Sequence, residues 1–157
     1  MNEESGADWV AFARDGVIYM RLRGMLTREV VDATRRLHVV ALAQRPAGCG
    51  ILLDVGTSLA LPPAEVRDYA AKIAGRHPEG IRGHVTLFQG GGFFGATVRS
   101  ALTGIFMLAR SPYPRAVVGT APEAVRFLRE RMAPDAPEES AMLKAFWSLP
   151  TREGRGG

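Results

Sequence analysis

From residue 9 onward, short apolar runs alternate with longer stretches of helical periodicity. Trp9 to Ala13 and Val17 to Arg23 read as two strands around Arg14-Asp15-Gly16, since Asp-Gly supplies the positive φ angles of a two-residue hairpin turn. In the second strand Ile18, Met20 and Leu22 alternate with Tyr19, Arg21 and Arg23, which predicts one apolar face and one wet face. Thr27 is placed to cap a helix running to about Ala43, with Val30, Ala33, Leu37 and Ala41 on one side and Arg28, Asp32, Arg35 and Arg36 on the other. Pro46-Ala47-Gly48 ends it.

Ile51 to Val55, apolar apart from Asp54, reads as a strand ending in an acid-bearing turn, the pattern of a strand covered on both faces in a parallel sheet. A helix from near Pro63 turns Val66, Tyr69, Ala70 and Ile73 inward and closes at Gly75 and Pro78. His84 to Gln89 reads as a strand, Phe93 to Ala109 as a helix and Ala116 to Val118 as the last strand. Thr120-Ala121-Pro122-Glu123 is a capping box that opens a helix burying Val125, Leu128 and Met132. The order β-β-α-β-α-β-α-β-α predicts an α/β fold. It consists of a mostly parallel sheet of about five strands with an antiparallel N-terminal strand pair, because a helix between successive strands implies parallel crossovers.

Three segments follow: an acidic start (1–8), the α/β domain (9–132) and a C-terminal extension (133–157) beginning with Ala133-Pro134-Asp135-Ala136-Pro137. A helix at about 137–148 gathers Met142, Leu143, Phe146 and Trp147 into one apolar stripe. Such a stripe packs back on the domain or on another chain.

Composition narrows the class. With 157 residues, 46% hydrophobic and 23% charged, the chain suits one soluble domain and is neither collagen-like nor low-complexity. One cysteine, Cys49, makes no intrachain disulfide, so a reducing cytoplasm is the expected location. The acidic N-terminus lacks the basic and apolar parts of a signal peptide, and no run reaches the ~18 apolar residues of a membrane span. Of 20 Lys and Arg, 18 are Arg, which together with frequent Ala, Gly and Pro matches the codon usage of a GC-rich genome. The net charge of +4 conceals a gradient: residues 9–132 hold 17 basic and 9 acidic side chains, a net of +8. An acidic partner would meet that central domain.

The opening strand pair, Ile51-Leu52-Leu53-Asp54 as central strand and Val117-Val118-Gly119-Thr120-Ala121-Pro122-Glu123-Ala124 as last strand-to-helix turn together resemble the STAS family over residues 9–132. That family includes the bacterial anti-sigma-factor antagonists and the cytoplasmic domains of sulfate transporters; the chain looks more like the STAS-like bacterial domains than like the antagonists proper. The resemblance implies partner binding. It does not carry over the phosphorylatable serine that antagonists place at the start of the helix after the central strand. Counting from Asp54, that position is Pro63, preceded by Pro62, and the nearby hydroxyls Thr57 and Ser58 come too early.

Candidate chemistry is sparse. Gly90-Gly91-Gly92-Phe93-Phe94-Gly95 satisfies G-x-G-x-x-G after a strand and before a helix, a context suited to a phosphate. Against a dinucleotide, the motif opens a late helix, no second nucleotide-binding half follows, and Arg110 and Arg115 stand where an acidic ribose ligand belongs. The carboxyl ends of the strands remain the expected location of any ligand, an anionic small molecule included: Asp54, Ser58, Gly90, Gly91, Gly92, Thr97, Gly119 and Thr120.

The Phe93 to Ala109 helix carries only Arg99 as a charge, and its Phe94, Val98, Leu102 and Phe106 need a cover. The C-terminal Phe146 and Trp147, a second copy or partner protein, and an apolar ligand are the alternatives, which makes these residues with Met142 the candidate interface.

His38, His77 and His84 lack metal-ligand spacing and read as a helix-surface, a helix-end and a strand-start residue; no metal or cofactor is expected. G-x-S-x-G, H-E-x-x-H and a Walker lysine are absent, and Asp54 has no second carboxylate beside it. Aromatic residues are not interleaved with the arginines, which argues against nucleic acid. The expectation is a non-catalytic, STAS-like interaction or regulatory module; the alternative is a domain holding a phosphate-bearing or acidic ligand near Gly90 to Gly95.

Overall fold

A computed structural model of the chain describes residues 2–57, 62–92, 95–100 and 111–151. Its elements are β1 (Glu3–Ser5), β2 (Trp9–Arg14), β3 (Val17–Leu22), α1 (Arg28–Gln44), β4 (Cys49–Gly56), α2 (Ala64–Arg76), β5 (Ile81–Phe88), β6 (Arg115–Val118), α3 (Ala121–Met132) and α4 (Glu139–Trp147); residues 95–100 are helical. The fold is mixed α/β. One sheet has its strands in chain order, β1 to β6, antiparallel from β1 to β3 and parallel from β3 to β6.

The β2–β3 hairpin turns through Asp15 (φ 52°) and Gly16 (φ 81°), the left-handed pair that Asp-Gly favours. Among the described residues the sheet has six strands rather than about five, because Glu3–Ser5 of the acidic start pairs with Val10 to Phe12. Arg36 ties this edge down, its Nη2 lying 2.7 Å from Glu4 Oε1.

Thr27 caps α1 by accepting from the Val30 amide at 3.4 Å, and Val30, Ala33, Leu37 and Ala41 are buried against β2, β3 and β4 as their spacing requires. His38 departs from its expected place on the helix surface. It is buried, because the turn before β5 crosses over it and Glu79 O accepts from its Nε2 at 2.8 Å. In α2, Val66, Tyr69, Ala70 and Ile73 are only half-buried and no residue is fully enclosed. The helix leans on α1, where Tyr69 donates to Asp32 and Arg28 lies 4.7 Å over the Tyr69 ring.

The opposite face of the sheet is covered by α3 and α4. Thr120 Oγ1 accepts from the Glu123 amide at 3.3 Å, which caps α3, and donates to Glu123 Oε1 at 2.9 Å, which ties the Glu123 side chain to the Thr120 hydroxyl. Val125, Leu128 and Met132 pack beside Phe12, Tyr19, Leu52 and Val85, and Met142, Ala145, Phe146 and Leu149 complete that core. The expected wet face of the second strand is therefore corrected at Tyr19 and Arg21, whereas Arg23, just beyond the strand, is exposed as expected. All six residues of β3 are buried, Tyr19 and Arg21 included, because a helix from the far end of the chain folds over them.

Candidate functional site

Register places Asp54 of β4 opposite Arg21 of β3 near the carboxyl ends of the parallel strands. Asp54 is fully buried. Its Oδ2 accepts from Arg21 Nε at 3.0 Å and Arg23 Nη2 at 3.1 Å, and its Oδ1 accepts from the Gly56 amide at 2.8 Å and Gln89 Nε2 at 3.1 Å. A carboxylate offers about four acceptor positions, and all are taken. Burial pushes this carboxyl up, but the hydrogen bonds from Arg23, Gly56 and Arg21 outweigh it and hold the group below the ordinary carboxylate range. Such an aspartate is a structural anion with no lone pair left for a substrate.

Arg21 reaches further. Its Nη1 donates to Leu149 O at 2.7 Å and Pro150 O at 3.2 Å, and its guanidinium lies 5.5 Å from the Phe146 ring centroid. Beside it, a crevice of about 20 Å³ lined by Ala7, Asp8, Trp9, Val10, Arg21, Arg23 and Pro150 has the capacity of a single water.

Gly90, Gly91 and Gly92 follow β5. Gly91 and Gly92 face open space, Gly92 with φ 68°, whereas a Cβ on Gly95 would fall 1.8 Å from Gly90 O. The motif glycines at 90 and 95 thus serve a close backbone approach. Arg99 Nη1 donates to Gly90 O at 2.9 Å and Phe88 O at 3.3 Å, so an arginine of the chain occupies the strand end here. Its guanidinium also borders Gly119. Thr97 is exposed and Thr120 serves as the cap of α3. Among the described residues the strand order does not reverse, so these strands form no switch point of the kind at which open parallel sheets hold a binding crevice. Ser58 lies outside the described residues.

Of the candidate interface, Phe94, Leu102 and Phe106 also lie outside the described residues, and Val98 is half-buried. Met142 and Phe146 are buried in their own chain's core against the sheet and α3, whereas Trp147 is 63% exposed. Helical spacing separates the two neighbouring aromatics: Phe146 turns in and Trp147 turns out, their rings edge to face at 5.0 Å.

Sequence reasoning missed Arg21, Arg23, Gln89 and Arg99. The available signal was an arginine breaking the apolar pattern of a strand predicted to neighbour the acid-bearing one. Among the described residues, six arginines donate to backbone carbonyls: Arg21, Arg23, Arg45, Arg82, Arg99 and Arg129. They are spread over both ends of the sheet and, through Arg129, the linker before α4, which scatters the basic charge. Among the described residues, no three His, Cys, Asp or Glu side chains gather into a metal site, and no helix is long and apolar enough to cross a membrane. Compared with known proteins, the chain matches no family model, no curated protein and no solved structure.

Proposed function

We propose that the chain is a non-catalytic, STAS-like interaction module of regulatory type in a bacterial cytoplasm, and that it meets its protein partner through the outer side of α4. The observation that carries this reading is Trp147, 63% exposed on a helix whose Met142, Ala145 and Phe146 are buried. A large aromatic left in solvent beside a packed apolar patch has the character of an interface anchor.

Further support comes from the fully engaged Asp54 carboxylate, which has no free position for acid or base work. The STAS-like part rests on the antiparallel start and the parallel strands in chain order. Pro63 stands at the N-cap of α2, so the helix start that would bear the antagonist serine has no hydroxyl to phosphorylate.

A photo-crosslinking residue at position 147 of the full chain tests the reading in cells. One protein species should be trapped there and not from Glu139. Thermal stabilisation by an anionic metabolite, lost in Gly92→Val and accompanied by no crosslink at 147, would favour the ligand-binding alternative instead.

A further inference from the structure

We propose that residues 139–151 form a detachable strap that leaves the sheet as one unit while the rest of the domain stays folded, with Arg21 as its catch. The strap is tethered through 133–138, where Ala133, Pro134, Asp135 and Glu138 are exposed and two prolines lack an amide donor. Arg129 Nε, donating to Pro137 O at 3.0 Å, holds the tether to α3.

The grip of the strap is one-sided. Met142, Ala145, Phe146 and Leu149 are buried, whereas Ser140, Ala141, Lys144 and Trp147 face outward. Its polar anchorage converges on Arg21, whose Nη1 donates to Leu149 O and Pro150 O and whose guanidinium lies over Phe146. Those carbonyls lie just beyond the last turn of α4, where a helix favours a cation.

Among the described residues, no ion pair crosses the boundary between strap and body. Arg21 is bonded to Asp54 within β3 and β4, and the other bonds to Asp54 come from Arg23, Gly56 and Gln89, all in the body. When the strap leaves, Asp54 keeps all four donors, and Arg21 Nη1 exchanges two carbonyls for water. A segment whose departure orphans no buried charge has the makings of a local unfolding unit. Its release opens the core that Met142, Phe146 and Leu149 share with Phe12 of β2 and Tyr19 of β3, so opening turns a covered apolar surface into an adhesive one.

Native-state hydrogen exchange of the full chain, read by mass spectrometry, tests this. The experiment contains no partner, so the strap and the Trp147 reading fail independently. Amides of 139–149 should exchange at least about tenfold faster than those of β4 and depend less on low urea concentrations. Arg21→Lys keeps a cation beside Asp54 but loses the two-pronged grip. It should speed strap exchange by about a further tenfold and leave β4 within about twofold. Equal rates and equal urea dependence for strap and β4, or equal acceleration of both by Arg21→Lys, would overturn the proposal. Should Arg21→Lys not fold, the urea series on the unchanged chain decides alone.

Discussion

Arg21 and Asp54 face each other across β3 and β4 with Nε 3.0 Å from Oδ2, and the carboxylate is wholly shielded from solvent. Removing the charge while keeping the shape leaves the buried Arg21 and half-covered Arg23 without a counter-ion. Asp54→Asn should therefore lose about 3–5 kcal/mol of stability in urea unfolding, since breaking a buried pair costs more than the pair contributes. A loss under about 1 kcal/mol would remove Asp54 as the organising anion of the strand ends. The carboxyl is held below its ordinary range, so its contribution is present above the unfolded pKa and disappears as pH falls through the folded one. Asp54→Asn should flatten that acid limb.

Two histidines act at milder pH. Burial lowers the His38 pKa, with the Arg35 guanidinium 2.9 Å from Nδ1 adding to the effect, and burial beside Arg115 holds His84 well below its usual range. Burial favours the neutral form of both in the fold, so the unfolded chain takes up protons first as pH falls below about 6.5, and stability declines there. Urea midpoints between pH 8 and 5 should show the decline, and His84→Asn should weaken it; a flat profile contradicts both assignments.

Phe146 and Trp147 should separate sharply in thermodynamic measurements despite being neighbours. Phe146→Ala opens a cavity in the sheet core and should cost about 3–5 kcal/mol. Trp147→Ala removes an exposed ring and should shift stability by no more than about 0.5 kcal/mol. Comparable losses at both positions would mean that Trp147 is a packing residue.

The glycine motif makes opposite demands at two of its positions. Gly95→Ala drives a Cβ into Gly90 O and should cost about 1–3 kcal/mol, whereas Gly91→Ala points into open space and should change stability by less than about 0.5 kcal/mol. Thermal melts of both variants check this, and equal effects would contradict the close approach.

Cys49 is fully buried, and burial pushes its thiol up to about 11. It should resist a thiol-specific reagent at pH 8 in the native chain and react promptly in urea. Prompt native labelling would show an opening at the amino end of β4.

The sequence by itself determined what depends on neighbours along the chain. Asp15-Gly16 specified the hairpin, Thr27 and Thr120 the helix starts, and the spacing of Val30, Ala33, Leu37 and Ala41 the side of α1 that meets the sheet. These are contests among residues a few positions apart, which periodicity and capping chemistry record directly.

The tertiary structure decided whatever required a distant element. The alternation of β3 reports that Tyr19 and Arg21 share a side, but whether that side is wet depends on α4, more than a hundred residues away. His38 is enclosed by Glu79, and Asp54 acquires four donors: Arg21 of β3, Arg23 just after it, the Gly56 amide of its own strand and Gln89. Local pattern encodes which residues lie on one face, whereas burial and charge pairing depend on what arrives to cover that face.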